Sequence, residues 1–316
     1  MKIDEASIRR LLDSLGLGDW REVERIDRIN ADVRFLAKGS ERRVLRVAPD
    51  DRHPATAVAK EYAAWGALGI PVPAVYASGR VGGLGVGYVL LEYINATPFD
   101  FGLPLDVQVR TMQDMGRLLA TMRGATAEGF GLLDAQGRGR QASWSDFVHA
   151  YNDGQWLVGR QLVSAAEAAQ LQEFVAAVDA MPSVTPVLLH GDFKPKNMFV
   201  DATTGAITGV IDPNPKAGDP LWDLAVCLHF IYREQARRHL PFTAPDFDTL
   251  RTAVVQSYQR ELGRDFTDEE QQCVLGYGCM VDTNNAKRMI DAPRPYDQSG
   301  EAEYMVRYVR KKLALL

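Results

Sequence analysis

Three polar side chains in the middle of the chain are spaced so that they could act together. A loop that begins at His190 carries a carboxylate at Asp192 and a carboxamide at Asn197. Apolar runs bounded by Gly and Pro, which are typical of strands, lie on both sides of this loop, and the last of them ends at Asp212. The pattern predicts a strand, a loop and a short hairpin that bring the three side chains to one end of a small sheet.

This residue set suits the transfer of a phosphoryl group from a nucleoside triphosphate. Such a transfer needs a group that orients the attacking hydroxyl and oxygen ligands for the metal ion that bridges the phosphates. Mg²⁺ takes oxygen ligands and usually only one or two carboxylates from the protein. We therefore expect Asp192 to orient or deprotonate an acceptor hydroxyl, and Asn197 and Asp212 to hold Mg²⁺.

The same region resembles a known family over three linked segments. These are His190-Gly-Asp192 with Asn197, then Ile211-Asp212, then Gly218-Asp219-Pro220-Leu-Trp-Asp223. In order and spacing they are similar to the catalytic and metal-binding loops of the aminoglycoside phosphotransferases, which are small-molecule relatives of protein kinases. The resemblance implies an α+β, bilobal, protein-kinase-like fold. Residues 1–94 would form a nucleotide-binding lobe, and residues 95–316 a larger, mainly helical lobe for catalysis and acceptor binding.

Hydrophobic periodicity agrees with this division. Apolar residues at helical spacing predict amphipathic helices over residues 4–15 and 55–68. Between and after them, β-type runs predict a five-stranded antiparallel sheet with strands near residues 22–26, 33–36, 43–47, 75–78 and 87–94. The Gly-rich stretch 130–140 and the Pro-rich stretch 213–218 are interpreted as loops.

The resemblance also implies nucleotide contacts on the third strand. Val44 and Arg46 share one face of that strand, because side chains alternate between faces. They match the family's small apolar residue against the adenine and its cation on the α- and β-phosphates, where Arg replaces the usual Lys. Glu61, on the following helix, matches the glutamate that pairs with this cation.

Two further segments would approach the nucleotide, which is ATP or GTP. The loop that holds Asn30 would lie over the phosphates, although it contains no glycine. The hinge between the lobes would lie at residues 91–96, which include Glu92 and Ile94. Its backbone groups would then bind the edge of the base.

Supporting residues surround the central loop. His190 is expected to brace the loop through hydrogen bonds, and Lys194, two residues after Asp192 as in protein kinases, to neutralise charge on the transferring group. Asp219 is expected to cap a helix that Pro220 opens. Asp223 lies near the buried face of that helix, so we expect it to accept hydrogen bonds from the backbone of the loop.

The acceptor site is predicted only in outline. Residues 144–162 mix aromatic and charged side chains, and they include Asp153 and Trp156. Asp282 and Glu301 are further candidates for acceptor contacts. Residues 1–95 hold 14 basic and 13 acidic residues and the remainder holds 22 and 28, so the second part is acidic. This field would attract a cationic acceptor, or it would simply keep the protein soluble.

Composition excludes several classes of function. The net charge of −5 argues against a general nucleic-acid binder. No apolar run approaches the roughly 18 residues of a membrane span, and the N-terminus lacks the apolar core of a signal peptide. Three cysteines without a Cys-x-x-Cys pair predict neither disulfides nor a metal site, which favours a reducing cytoplasm. No pattern indicates an oligomeric state.

The favoured function is ATP- and Mg-dependent phosphorylation of a small, cationic hydroxyl acceptor, namely an aminoglycoside or a related antibiotic. Three alternatives stay open. One is a kinase of a metabolite such as an amino alcohol or a sugar. A protein kinase is suggested by Lys194, but no long activation segment separates Asp212 from Asp219. The last is a protein that binds nucleotide without catalysis.

Overall fold

The computed structural model describes residues 4–27, 31–49, 54–81, 86–181, 184–295 and 297–316. Asn30, with its predicted nucleotide role, lies outside the described residues. The first part of the chain forms one antiparallel sheet in the order β1-β2-β3-β5-β4. Its strands are β1 (Arg21–Asp27), β2 (Asp32–Lys38), β3 (Glu41–Pro49), β4 (Val75–Val81) and β5 (Val86–Glu92). The predicted five-stranded sheet is confirmed.

Side chains alternate between the two faces of this sheet, and apolar side chains occur on both faces. A helix packs on each face and covers them. Leu45 and Val47 of β3 face helix α1 (Glu5–Ser14), whose first turn is capped by Asp4, which accepts a hydrogen bond from the N–H of Ser7 at 2.8 Å. Val44 packs on the other face, in the same apolar core as helix α2 (Ala55–Ala67). The sheet therefore turns Val44 toward the rest of the molecule.

The second part of the chain is mainly helical, as predicted. In the described residues no helix has both the length and the apolar composition needed to cross a bilayer. Helices α3 and α8 approach closely at Gly116, where a Cβ atom would clash with the carbonyl oxygen of Val254. The helices are α3 (Leu105–Met122), α4 (Trp144–Tyr151), α5 (Gly154–Gly159), α6 (Ala165–Ala180), α7 (Leu221–Arg237), α8 (Pro245–Leu262), α9 (Asp268–Asp291) and α10 (Glu301–Leu313).

Two small sheets, in the orders β11-β10-β6 and β8-β7-β12-β9, hold the central loop. Their strands are β6 (Thr97–Pro98), β7 (Phe130–Leu133), β8 (Gly139–Gln141), β9 (Val187–Leu189), β10 (Met198–Val200), β11 (Ile207–Val210) and β12 (Lys216–Gly218). The predicted division at residue 94 falls between β5 and β6; β6 pairs with β10, a strand of the later part.

The interpretation of 130–140 and 213–218 as loops was wrong, since these stretches contain β7, β8 and β12. The strand before the loop, β9, pairs with β12 and not with the β10–β11 hairpin. Strands of three or four residues are too short to show an alternating pattern, so their pairing depends on tertiary contacts. The loop thus leaves one sheet at His190 and enters another at Met198.

Candidate active site

His190 is buried at the end of β9 and organises the loop. Its Nδ1 accepts a hydrogen bond from the N–H of Asp192 at 3.3 Å, and its Nε2 lies 3.1 Å from the carbonyl oxygen of Ile211. The ring stacks on Trp65 of α2 with a centroid distance of 5.5 Å. Burial lowers the pKa of His190 to about 3, so the ring is neutral at neutral pH and Nε2–H donates to Ile211. This side chain braces the loop rather than carrying a proton.

The carboxylate of Asp192 is held by two donors from its own loop. Lys194 Nζ lies 2.5 Å from Asp192 Oδ2, and Asn197 Nδ2 lies 3.2 Å from the same oxygen. Asn197 Nδ2 also donates to the backbone oxygen of Asp192 at 3.0 Å. Burial raises the pKa of Asp192, the charge of Lys194 opposes this, and the negative charge of Asp212 raises it further. The two carboxylates are therefore near enough to repel each other.

Asn197 and Asp212 could hold a hard divalent cation. The amide nitrogen of Asn197 is committed to Asp192, which leaves its oxygen as the available ligand atom. Asp212 adopts a left-handed backbone conformation with φ of 59°. Asp tolerates this region better than most residues, yet it is held only where the surroundings support it. Tyr62 of α2 supplies that support, because its hydroxyl oxygen accepts the N–H of Asp212 at 3.2 Å.

Asp223 of α7 binds the backbone at the start of the loop. Its carboxylate accepts the N–H of His190 at 2.6 Å and the N–H of Gly191 at 2.8 Å. Burial raises the pKa of Asp223 to about 6, while the Gly191 N–H and the charge of Lys216 oppose the rise. Asp219 accepts hydrogen bonds from the N–H of Leu221 and the hydroxyl of Tyr277, both at 2.9 Å. Asp223 therefore holds the start of the loop, as expected from the sequence, whereas Asp219 binds the first residue of α7 and Tyr277 of α9.

The predicted pair between Arg46 and Glu61 is not present. Glu61 is 0% exposed, and neither of its oxygens has a hydrogen-bond partner among the described residues. The charges that act on it are those of Asp223 and Lys216. Arg46 instead acts on Tyr62, whose pKa is raised mainly by burial, with Asp212 and Arg46 acting in opposite directions. The side chain of Glu61 is therefore buried without a hydrogen bond, and no ion pair with Arg46 is found among the described residues.

Two residues of the predicted hinge, Glu92 and Ile94, contact other parts of the protein. The backbone N–H of Glu92 donates to the carbonyl oxygen of Ala74 at 2.9 Å, and its carboxylate accepts the Ala74 N–H at 3.1 Å. The N–H of Glu92 is therefore already bound within the protein, and the predicted contact of the hinge backbone with the base stays a prediction. Ile94 packs against the β10–β11 hairpin, where a Cβ at Gly209 would lie 2.6 Å from its Cδ1. Val44 is opposite Leu91 in the β3–β5 pair, and both contribute to the main core.

Asp153 and Asp192 both act on Tyr151 through their charges. Burial raises the pKa of Tyr151, and the charges of Asp153 and Asp192 both add to this rise, so Tyr151 lies near each of them. Asp153 forms an ion pair with Lys287 at 2.7 Å. Trp156 donates its Nε1–H to Asp291 at 2.9 Å. This region thus includes Tyr151, from the predicted stretch 144–162, and Lys287, which the sequence did not single out.

The other two acceptor candidates do not fit their predicted role. Asp282 and Glu301 are both 0% exposed. Asp282 binds Lys312 at 2.7 Å and His229, and Glu301 binds Arg233 at 2.6 Å. These contacts join α7, α9 and α10 in the protein interior. The carboxylates compensate buried cations, since burying an unpaired charge is costly.

A neighbouring buried carboxylate should make stability depend on pH. Asp297, whose side chain is 6% exposed, binds Arg233 at 3.0 Å and Arg288 at 2.7 Å. Burial alone would raise the pKa of Asp297, but the hydrogen bonds from Arg288 and the Arg294 N–H, with the two guanidinium charges, hold it at about 2. The pKa of this carboxyl in the unfolded chain is near 4, so its lower pKa in the folded protein stabilises the fold at pH values above about 4. This stabilisation is lost as the pH falls toward 2.

We therefore expect Asp297→Asn to be less stable than wild type at pH 5, and the gap to shrink by about 2 kcal/mol between pH 4 and pH 2. Urea unfolding at several pH values measures this gap. Asp265→Asn, which removes an exposed carboxylate, is measured beside it as the control. A gap for Asp297→Asn that does not change with pH would contradict the assignment.

Comparisons with known proteins bear on this geometry. The sequence profile of the phosphotransferase enzyme family matches residues 22–268, which is most of the chain. No functionally curated protein matches the chain. Several solved structures share the fold at low sequence identity.

A thermostable mutant of aminoglycoside phosphotransferase APH(4)-Ia is 19% identical with a TM-score of 0.67, over 96% of this chain and 97% of that chain. The same relative was solved as a ternary complex with ADP and hygromycin B. A putative aminoglycoside phosphotransferase from Ralstonia eutropha is 15% identical, with a TM-score of 0.62 over 99% and 96% of the two chains.

A putative fructosamine-3-kinase from Haemophilus somnus is 17% identical, with a TM-score of 0.60 over 98% and 96% of the two chains. Structural likeness at these identities establishes the protein-kinase-like fold, and the profile match establishes the family. The loop of Asp192 lies within the matched residues. This chain belongs to the phosphotransferase enzyme family and is a small-molecule kinase.

Proposed function

We propose that this protein transfers the γ-phosphoryl group of ATP to a hydroxyl of a small acceptor in an Mg²⁺-dependent reaction. The observation that carries the proposal is the cluster around Asp192. Asn197 donates to its carboxylate, and the charge of Asp212 acts on it. GTP is an alternative donor for the same site.

The donor set fits a magnesium ion. The carboxylate of Asp212 and the amide oxygen of Asn197 are hard oxygen ligands of the kind that Mg²⁺ prefers. Asn197 and Asp212 would hold the ion, which when bound neutralises charge on the phosphates. We assign the phosphate contact of the first lobe to Arg46, because its charge acts on Tyr62 next to Asp212 and a guanidinium can bind phosphate bidentately.

Asp192 would accept or orient the proton of the acceptor hydroxyl. Burial raises the pKa of Asp192, and a carboxylate with a raised pKa is a stronger proton acceptor than an exposed one. Lys194 contacts Asp192 and also lies over the ring of Phe230, with its Nζ 4.9 Å from the centroid. It would neutralise charge on the group in transfer.

Two acceptor classes are candidates. An aminoglycoside or a related antibiotic is supported by the relatives named above and by Asp153, an acidic side chain whose charge acts on Tyr151 as that of Asp192 does. A neutral sugar metabolite is favoured by the burial of Asp282 and Glu301, because two carboxylates expected to bind a cationic acceptor are used within the protein. An amino alcohol, which is cationic, stays an alternative acceptor. A cytoplasmic location, where ATP is available, fits the free and buried Cys227, Cys273 and Cys279.

A panel assay tests the proposal. Release of ADP is measured with and without Mg²⁺ against hygromycin B, other aminoglycosides, ketosamine sugars and amino alcohols. We expect Mg-dependent turnover with one of these classes. Resistance conferred on a sensitive cell, and lost in Asp192→Asn, would select the antibiotic. No Mg-dependent ATP consumption with any acceptor would overturn the proposed function.

A further inference from the structure

Lys216 is a buried cation that the proposed reaction does not use. It lies on β12 with 5% exposure, although lysine is almost never buried without a paired charge. Its Nζ donates to the carbonyl oxygens of Asn214 at 3.2 Å and Gly191 at 3.4 Å. No ion pair found among the described residues includes Lys216. The hydrogen bonds found for this amine are therefore to backbone carbonyl groups, one of them in the loop that carries Asp192.

Gly191 is the loop residue whose carbonyl oxygen contacts this amine. Its backbone has φ of +66°, and a Cβ there would lie 2.5 Å from Lys216 Nζ and would clash with the carbonyl oxygen of Asn214. The N–H of Gly191 is bound by Asp223, and its carbonyl oxygen faces Lys216. The backbone N–H and C=O of Gly191, the residue before Asp192, are therefore both held by buried charged side chains.

Glu61 reaches the same buried region from α2. Both of its oxygens lack a hydrogen-bond partner in the part of the chain that the structure describes, and the residue is 0% exposed. Burial raises the pKa of Glu61, the charge of Asp223 raises it further, and the charge of Lys216 lowers it. The charges of three carboxylates thus act on Lys216: Asp223, which holds the loop, Asp192 itself, and Glu61, which belongs to α2.

We propose that Lys216 and Glu61 are positioning residues that act as one unit. Lys216 holds the Gly191 carbonyl, and the buried carboxylate of Glu61 acts on this amine through its charge, so that α2 helps to set the position of Asp192. The inference rests on the proposed role of Asp192 in phosphoryl transfer. It differs from the expectation for Glu61 based on resemblance, because Glu61 then acts on the catalytic loop and not on Arg46.

The two roles predict different kinetics. If Glu61 positions the loop, Glu61→Gln and Lys216→Met should each lower kcat about 10- to 100-fold, since a displacement near 1 Å can cost about 10²-fold. The Kd for an ATP analogue should stay within about threefold of wild type, and the double variant should be no slower than the slower single variant. Lys216→Arg, which keeps the charge, should retain more activity than Lys216→Met.

Turnover is measured with the acceptor found in the panel, and nucleotide affinity by calorimetry. Lys60→Met, an exposed lysine one position before Glu61, is the matched control and should keep the wild-type kcat. Thermal unfolding checks that each variant is folded. If Lys216→Met does not fold, Glu61→Gln and Lys216→Arg carry the test.

Three results would overturn the inference. Weakened nucleotide binding in Glu61→Gln, as in Arg46→Ala, would assign Glu61 to Arg46. Unchanged kcat in both single variants would remove the positioning role. Multiplicative effects in the double variant would show that the two residues act separately. A wild-type protein without turnover overturns the proposed function and this inference with it, whereas wild-type turnover with unaffected variants overturns this inference alone.

Discussion

Asp192→Asn is expected to lose about 10²- to 10⁴-fold in kcat, the range that a positioned acid–base group contributes. Asparagine preserves the shape of the side chain but cannot accept a proton. Lys194 also loses its ion-pair partner, which now lies 2.5 Å away. Nucleotide binding should change little, because the proposed phosphate and metal contacts come from Arg46, Asn197 and Asp212. Asp192→Ala should give the same result with a larger change in the loop.

Steady-state turnover and the Kd of an ATP analogue, measured on the same preparation, check this prediction. Asp106→Asn, on the exposed side of α3, is the matched control and should be fully active. Full activity of the Asp192 variants would end the assignment of this residue. Equal losses in turnover and nucleotide affinity would point to collapse of the loop rather than to chemistry.

Asp212→Asn should weaken Mg-dependent nucleotide binding about tenfold or more. Loss of a partner outside the ligand shell often costs about 10- to 100-fold in metal affinity, and loss of a ligand should cost at least as much. Asparagine is the sharper substitution than alanine, because it tolerates the left-handed backbone of Asp212 at φ 59°. The N–H that Tyr62 accepts is retained in either variant.

Calorimetric titration of an ATP analogue with Mg²⁺ and with a chelator measures this effect. The affinity without Mg²⁺ should be unchanged or slightly higher, since a negative charge near the phosphates is removed. An Asp212→Asn protein that binds Mg-nucleotide as tightly as wild type would count against the metal role of Asp212.

Local spacing was enough to predict much of the fold. The alternation of Val44, Leu45 and Arg46 defines the two faces of β3, because neighbouring side chains on a strand point in opposite directions. Asp4 before an apolar helical repeat predicts the cap of α1, and the cap is present. Asp192 and Asn197 are only five positions apart in one loop, so local chain geometry is enough to bring them into contact.

Contacts between distant segments could not be predicted in the same way. Tyr62 and Asp212 are 150 positions apart and meet only because α2 packs on the loop. The same packing buries Glu61, where the charges of Asp223 and Lys216 act on it. Asp282 and Glu301 were predicted as candidates for acceptor contacts, but helix packing buries them beside Lys312 and Arg233.

By itself, the amino-acid sequence determined the catalytic loop, the sheet and the family, because these depend on residue types at short, regular spacing. Only the tertiary structure decided which buried charged side chains form ion pairs with each other. The free energy of burying a charge depends on the partners that surround it, and those partners come from helices and strands far away in the chain.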